Sequence, residues 1–307
     1  MTTAQIFPTY EPTMKALCER DERVVVLTAE NRAAIRGLPP ILGQRFIDTG
    51  ITEQTMIGVA AGLALRGRRP VAHALATFIT LRAFEFIRDD LGIPKLPAVL
   101  VGGVPGFLSD ANGPTHQAID DVSLMRGIPN MQVVCPADEA ELAQALVQLV
   151  ECDCPTYVRH IAMTPGFPHK HPFELGKAEV LMEGDEIGIL TYGFLSRHCY
   201  AAAEKLVAAG KSVRLVHVPT LKPLDEAAVL KTLETCRTTF TIEDHFLTGG
   251  LFSIVAELMA KRGRMARVVP FALEERWFLP TLLPQVLEHE GFTADKLVER
   301  ITAALPS

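Results

Sequence analysis

Apolar positions along the chain follow two alternating rhythms. Short runs rich in β-branched residues read as strands buried on both faces: VVVLTAE (24–30), RFID (45–48), PVAHALATF (70–78), PAVLVGG (97–103), MQVVCPA (131–137) and PTYVRHI (155–161). Between them lie MIGVAAGLAL (56–65), ITLRAFEFIRDDL (79–91), HQAIDDVSLMRGI (116–128) and DEAELAQALVQLVE (138–151), whose length and composition are helical. Strand and helix in turn predict a mainly parallel sheet flanked by helices. Asp138, with acids at 139 and 141, marks a helix start, because carboxylates complement the positive N-terminal dipole.

The rhythm breaks over 163–177, MTPGFPHKHPFELGK, a proline-rich stretch without periodicity. It then restarts with EIGILTYGF (186–194), a helix over 197–209 ended by Gly210, SVRLVHV (212–218), a helix over 225–235, TTFTIED (238–244), a helix from near Gly250, and ARVVPFAL (266–273). The expectation is α/β throughout, in two domains, each a mainly parallel sheet flanked by helices: 1–165, a linker over 166–178, and 179–307. His169 and His171, two apart among prolines, read as solvated loop residues rather than metal ligands.

Composition narrows the function. Of 307 residues 48% are hydrophobic and 21% charged, enough for two cores and against extended disorder. A net charge of −6 without basic blocks argues against nucleic-acid or membrane-surface partners, which leaves small-molecule chemistry. The N-terminal stretch shows no leader pattern and no apolar run reaches membrane-spanning length, so a cytoplasmic location is expected. The six cysteines (18, 135, 152, 154, 199, 236) lack metal-ligand spacing and read as reduced thiols.

One acid stands out. Glu53 lies in GITEQ, between a short strand and a helix of small residues (Gly58, Ala60, Ala61, Gly62, Ala64), where by itself it reads as a first-turn acid. The ordered set GITEQ (50–54), HALATFITLRAFEFIRDD (73–90), NGPTHQAIDD (112–121), PADEAE (136–141), VRH (158–160) and TIEDHFLTGGLFS (241–253) resembles the transketolase family. The likeness is to its pyrimidine-binding and C-terminal domains, and also to the C-terminal half of deoxyxylulose-phosphate synthases.

That resemblance implies the fold of a thiamine-diphosphate-binding pyrimidine domain followed by a transketolase C-terminal domain. It implies that Glu53 is the carboxylate that hydrogen-bonds a ring nitrogen of the cofactor's aminopyrimidine and so helps remove the thiazolium proton. Phe78 matches the aromatic that stacks on the pyrimidine, with Leu75 and Ile51 as further cofactor contacts; Leu75 is aliphatic where family members often carry an aromatic. His116 matches a substrate-facing histidine that moves protons. Arg159 matches an arginine for a sugar-phosphate terminus, and Arg82 approaches substrate as in deoxyxylulose-phosphate synthases. Asn112 replaces an aspartate that reads a substrate hydroxyl, and Val104 lies near the place of a substrate-facing histidine, two departures from the pattern for ordinary pentose phosphates that leave the sugars open.

No metal ligand is expected on this chain. The Gly-Asp-Gly segment that holds Mg²⁺ on the pyrophosphate is absent; the closest text, Glu183-Gly184-Asp185-Glu186, lies in the second domain and lacks the last glycine. The resemblance therefore implies a transferase subunit that moves a two-carbon ketol unit between sugars or sugar phosphates. It shares thiamine diphosphate with an N-terminal partner subunit that holds Mg²⁺, in a homodimer or an α2β2 heterotetramer. Two rival readings remain open: a deoxyxylulose-phosphate-synthase-like enzyme or the β subunit of a 2-oxo acid dehydrogenase, and a non-catalytic interaction subunit.

Overall fold

The computed structural model describes residues 9–306; the first eight residues, part of the N-terminal stretch read above, and Ser307 lie outside it. Both expected sheets form. The first has seven strands in the order β10-β5-β6-β4-β3-β1-β2, with β1 Val24–Thr28, β2 Phe46–Asp48, β3 Arg69–Leu75, β4 Ala98–Gly103, β5 Gln132–Val134, β6 Pro155–His160 and β10 Thr220–Lys222. The second has five, in the order β12-β11-β8-β9-β7, from β7 Glu179–Met182, β8 Ile187–Thr191, β9 Val213–His217, β11 Thr238–Phe246 and β12 Val268–Leu273. All pairings are parallel except β10 with β5 and β7 with β9. β1, β4, β6, β8 and β9 are buried along their whole length, as helices on both faces require.

Register aligns the strand ends that matter. Thr28 stands beside His73, Leu75 beside Gly103, and Gly103 beside His160, so the C-terminal ends of β1, β3, β4 and β6 form one rim. Ligands of parallel sheets bind outside this edge.

Several elements differ from expectation. A helix, Tyr10–Arg20, precedes β1 and is absent from the sequence reading, although its buried residues Tyr10, Met14, Leu17 and Cys18 fall at helical spacing. The stretch 79–91 is not a regular helix: 78–82 and 87–92 wind as wide π-type turns around a short α segment, so Phe78 sits in a local distortion. Within 116–128 only Asp121–Arg126 is helical, the residues before it being held as turns. β10 leaves the second half of the chain to pair with the first sheet, a crossing that local pattern does not signal. The helix Glu139–Leu149 begins as read, its Asp138 cap accepting from the Ala140 and Glu141 amides at 2.9 Å.

The 163–177 segment is irregular but not a solvated tether. His169, expected to be solvated, is a correction: its Nδ1 meets Glu179 Oε2 at 2.7 Å and its Nε2 meets Asp138 Oδ2 at 3.1 Å. Burial disfavours a charged imidazole, yet these two carboxylates outweigh it and hold His169 up to about 10.

Candidate functional site

The site grows from the turn before the helix Glu53–Leu65. Gly50, at φ +69°, lets the chain turn out of β2 and start that helix within three residues. Glu53 thus falls in the first turn, where the helix dipole favours a carboxylate. Its side chain nevertheless points inward and is only 1% exposed. Unlike the equally buried cap Asp138, which accepts from two amides of its own helix, Glu53 accepts no such bond.

Its partner is Arg82, whose Nη1 donates to Glu53 Oε2 at 2.7 Å. No other hydrogen bond reaches this carboxylate among the described residues. The Arg82 guanidinium carbon lies 4.4 Å from the Phe78 ring centre, a cation over an aromatic face. On that ring's other contact, the His116 imidazole approaches at 5.0 Å between centres and 66° between planes. Glu53, Arg82, Phe78 and His116, drawn from three separate stretches, therefore form one continuous cluster. His116 is held by its own loop: its Nδ1 lies 3.0 Å from Thr115 Oγ1 and its carbonyl accepts from the Ser109 hydroxyl.

The other expected residues take graded places. Leu75 ends β3 on the rim, partly buried, three positions before Phe78. Ile51 flanks Glu53 in the turn and is 65% exposed. Asn112 is exposed on the loop that leads to His116.

Arg159 requires a correction. Expected to face a sugar-phosphate terminus, it is sealed beneath the rim at 1% exposure. Its Nε and Nη2 donate to the two oxygens of Asp121 at 2.8 and 2.6 Å, and its Nη1 donates to Asp244 Oδ1 at 2.6 Å. A cation caged by two buried carboxylates has no free edge for a ligand, and withdrawing it would leave both acids uncompensated. The acids are unequal. Burial pushes both up, but the Asp121 carboxyl, which takes two of the arginine's bonds and one from Tyr157, ends below its usual range; Asp244 stays raised to about 6.

This cage joins the two sheets, since Asp244 belongs to β11. Glu243 beside it accepts from the Leu251 and Phe252 amides and from Tyr192, and burial raises it to about 7. Gly106, at φ +58°, passes so close that a Cβ there would lie 1.7 Å from Asp244 Oδ2. The Glu-Asp-His sequence is thus an interdomain joint, which its motif alone did not reveal. A second missed group is Tyr10, His73 and His160 beneath the rim, with ring centres 4.7–5.6 Å apart.

A flat aminopyrimidine needs an aromatic face for stacking and a buried carboxylate for its ring nitrogen. Phe78 and Glu53 supply both, and Arg82, itself a flat donor, covers the same two surfaces. The residues present fit that end of thiamine diphosphate. Among the described residues no three His, Cys, Asp or Glu side chains gather into a metal-holding group, and no helix is long and apolar enough to cross a membrane.

Two mainly parallel sheets flanked by helices, with a buried carboxylate and an aromatic at the rim of the first, define a two-domain α/β chain with a candidate site at a sheet edge. Residues 4–161 match the transketolase pyrimidine-binding domain and residues 176–297 the transketolase C-terminal domain, and the chain belongs to the transketolase family. It is 35% identical over 258 residues to the 6-deoxy-6-sulfo-D-fructose transketolase subunit SqwH of Clostridium sp. (strain MSTE9), covering 82% of this chain and 80% of that one. It is 31% identical to the 1-deoxy-D-xylulose-5-phosphate synthase of Syntrophotalea carbinolica, where 94% of this chain spans only 46% of the relative. Among solved structures, a split-gene transketolase described as an inactive beta4 tetramer superposes with a TM-score of 0.87 at 32% identity, covering 96% of both chains.

Proposed function

We propose that this chain is the C-terminal subunit of a split, thiamine-diphosphate-dependent transketolase, which transfers a two-carbon ketol unit from a ketose donor to an aldose acceptor. Residues 1–165 form its pyrimidine-binding domain, 166–178 the linker and 179–307 the C-terminal domain. The observation that carries the reading is the inward carboxylate of Glu53 beside the Phe78 ring and the His116 imidazole on one open rim. When bound, thiamine diphosphate supplies the nucleophilic carbon that carries the two-carbon unit.

This chain's residues do the rest. Glu53 shares a proton with the pyrimidine ring nitrogen, and burial keeps water from competing for that bond. Phe78 stacks on the ring, while Leu75 and Ile51 close its edge. His116 takes and returns a proton at the substrate hydroxyl, with Thr115 and Ser109 fixing its loop. Asn112 reads a further substrate hydroxyl from the same loop. The pyrophosphate and Mg²⁺ are held by an N-terminal partner subunit, because the sequence lacks the Gly-Asp-Gly segment that a hard cation needs. The assembly is an α2β2 heterotetramer in the cytoplasm.

The test is calorimetric titration of thiamine diphosphate with Mg²⁺ into the chain alone and into the complex captured with its copurifying subunit. Binding only by the complex, with ketol transfer and no CO₂ release from 2-oxo acids, is expected. Tight binding by the chain alone, or a complex that binds no cofactor, would sink the reading.

A further inference from the structure

The loop between β4 and the helix Asp121–Arg126 carries Asn112 and His116, and it is fastened at three places to the second half of the chain. The first is Asp110. Its Oδ2 accepts from the Leu283 amide at 2.8 Å, and its carbonyl accepts from the Thr281 amide at 3.2 Å. The helix Leu283–Glu290 starts there with no side-chain cap from its own Leu282. Asp110 therefore caps a helix from 173 residues away, and a carboxylate suits the positive end of that helix. Its Oδ1 accepts from the Ala111 amide at 2.7 Å, which ties the cap to the loop's own backbone.

The second is Gln117, only 1% exposed, whose Nε2 donates to the Phe278 carbonyl at 2.9 Å. The third is apolar. Phe107 meets Phe278 and Phe292 edge to face, with ring centres 5.3 and 5.1 Å away, and all three rings are buried. Phe278 and Thr281 lie between β12 and the helix Leu283–Glu290, so the second sheet sets where these struts stand.

The struts meet His116 from both directions along the chain. Asp110 adjoins Ser109, whose hydroxyl donates to the His116 carbonyl, and Gln117 follows His116 directly. The His116 amide donates to the Gly113 carbonyl at 2.9 Å, so the turn through Asn112 to His116 is closed at its base. The imidazole is less tied: among the described residues its hydrogen-bond contact is Thr115 of the same turn, and it stands half-buried against Phe78. The ring goes where its backbone puts it. That backbone is placed by the second half of the chain.

We infer that the second half of the chain takes part in the reaction by placing His116, and that Asp110 and Gln117 are the positioning residues that carry its hold across. They act through His116 rather than on the substrate. The inference rests on the ketol-transfer reading, in which His116 moves a proton, and gives the C-terminal domain a task in that step. Reach makes the task exacting, because a proton-transfer group must come within about 2.6–3.2 Å of the atom it serves.

The experiment uses the complex with its partner subunit and changes both sides of the contact: Asp110→Ala and Gln117→Met on the loop, and Leu283→Pro against Leu283→Ala on the helix. Leu283→Pro removes the donor amide without touching the loop, and Leu282, at ψ 143°, already has the extended backbone that a residue before proline takes. Leu283→Ala loses the side chain but keeps the amide. Three readouts are taken: amide hydrogen exchange over 109–117, kcat/KM for ketol transfer, and exchange of the thiazolium proton. Asp110→Ala, Gln117→Met and Leu283→Pro should each speed amide exchange and lower kcat/KM by about tenfold or more, since a displacement of about 1 Å can cost up to about 100-fold. Leu283→Ala should stay close to wild type, and thiazolium exchange, which belongs to Glu53, should not change. Made in a His116→Ala background, the same three changes should cost little more, because the group they place is gone. An undiminished loss in that background, or unaltered amide exchange over 109–117, would overturn the inference. A wild-type complex that binds the cofactor but transfers no ketol unit, with the loop still loosened by the three changes, would sink the ketol-transfer reading and leave the clamp on the His116 loop standing.

Discussion

Glu53 and Arg159 are two charges taken out of water in different ways. Among the described residues Glu53 has one hydrogen-bond partner, Arg82, whose side chain is 36% exposed; Arg159 has two buried carboxylates that fix it. The first pair reaches solvent on its arginine side; the second is a structural pin. By itself Glu53 reads in the sequence as a first-turn acid, and it is the resemblance of the ordered motifs, not the local pattern, that implies a further role for it. The same resemblance misplaced Arg159 because the acids that cage it come from 38 and 85 residues away. Asn112, exposed before His116, carries the next prediction at this scale. Asn112→Asp should alter discrimination between sugars by about 1–3 kcal/mol, the worth of one hydrogen bond to a substrate hydroxyl, while changing cofactor affinity less. Steady-state kinetics on a panel of sugars, with calorimetry for the cofactor, decides it; an equal loss for every sugar would exclude the role.

Among the elements, periodicity was most informative where it was local. The alternation of apolar runs located β1, β3, β4, β6, β8, β9 and β11, and Asp138 announced the helix it caps. The irregular segment after β6 was read as solvated because proline and histidine carry no period; its order comes from Asp138 and Glu179, which belong to other elements. That contact has a pH signature. The folded value of about 10 lies above the usual 6.5 for His169, so its stabilisation is complete below pH 6.5 and is lost as pH rises toward 10. Both carboxylates lie below their usual ranges and lose their share only in acid. Thermal melts of wild type and His169→Gln should therefore differ most just below pH 6.5 and converge near pH 10. A difference that grows with pH would contradict the assignment.

At the scale of the whole molecule, the two-sheet plan was legible but the joint between the sheets was not. Strand pairing is a long-range choice, so neither the passage of β10 into the first sheet nor the Arg159 cage could be read from neighbouring residues. The surface near the site also exposes large apolar side chains. Ile51, Leu81, Phe86 and Ile93 are between 39% and 67% exposed on the turn and helical segments that carry Glu53, Phe78 and Arg82. Large exposed apolar side chains beside the candidate site suit a subunit interface. Sedimentation velocity of the chain alone should show concentration-dependent self-association that the partner subunit replaces with a mixed assembly. A monomer at every concentration, unchanged by the partner, would contradict this use of the surface.

The account turns on Glu53, and exchange of the proton at the thiazolium carbon reports on it directly. In the complex reconstituted with its partner, thiamine diphosphate and Mg²⁺, quenched-flow exchange into deuterium oxide is compared between wild type and Glu53→Gln. The amide is nearly isosteric but cannot share a proton with the pyrimidine nitrogen as a carboxyl group does, so exchange should slow by about 100-fold or more, roughly 2.7 kcal/mol of barrier. A helix-capping acid would instead cost about 0.3–1 kcal/mol of stability and leave exchange untouched. Equal exchange rates in the two proteins, with the cofactor bound to both, would show that Glu53 is not the activating carboxylate.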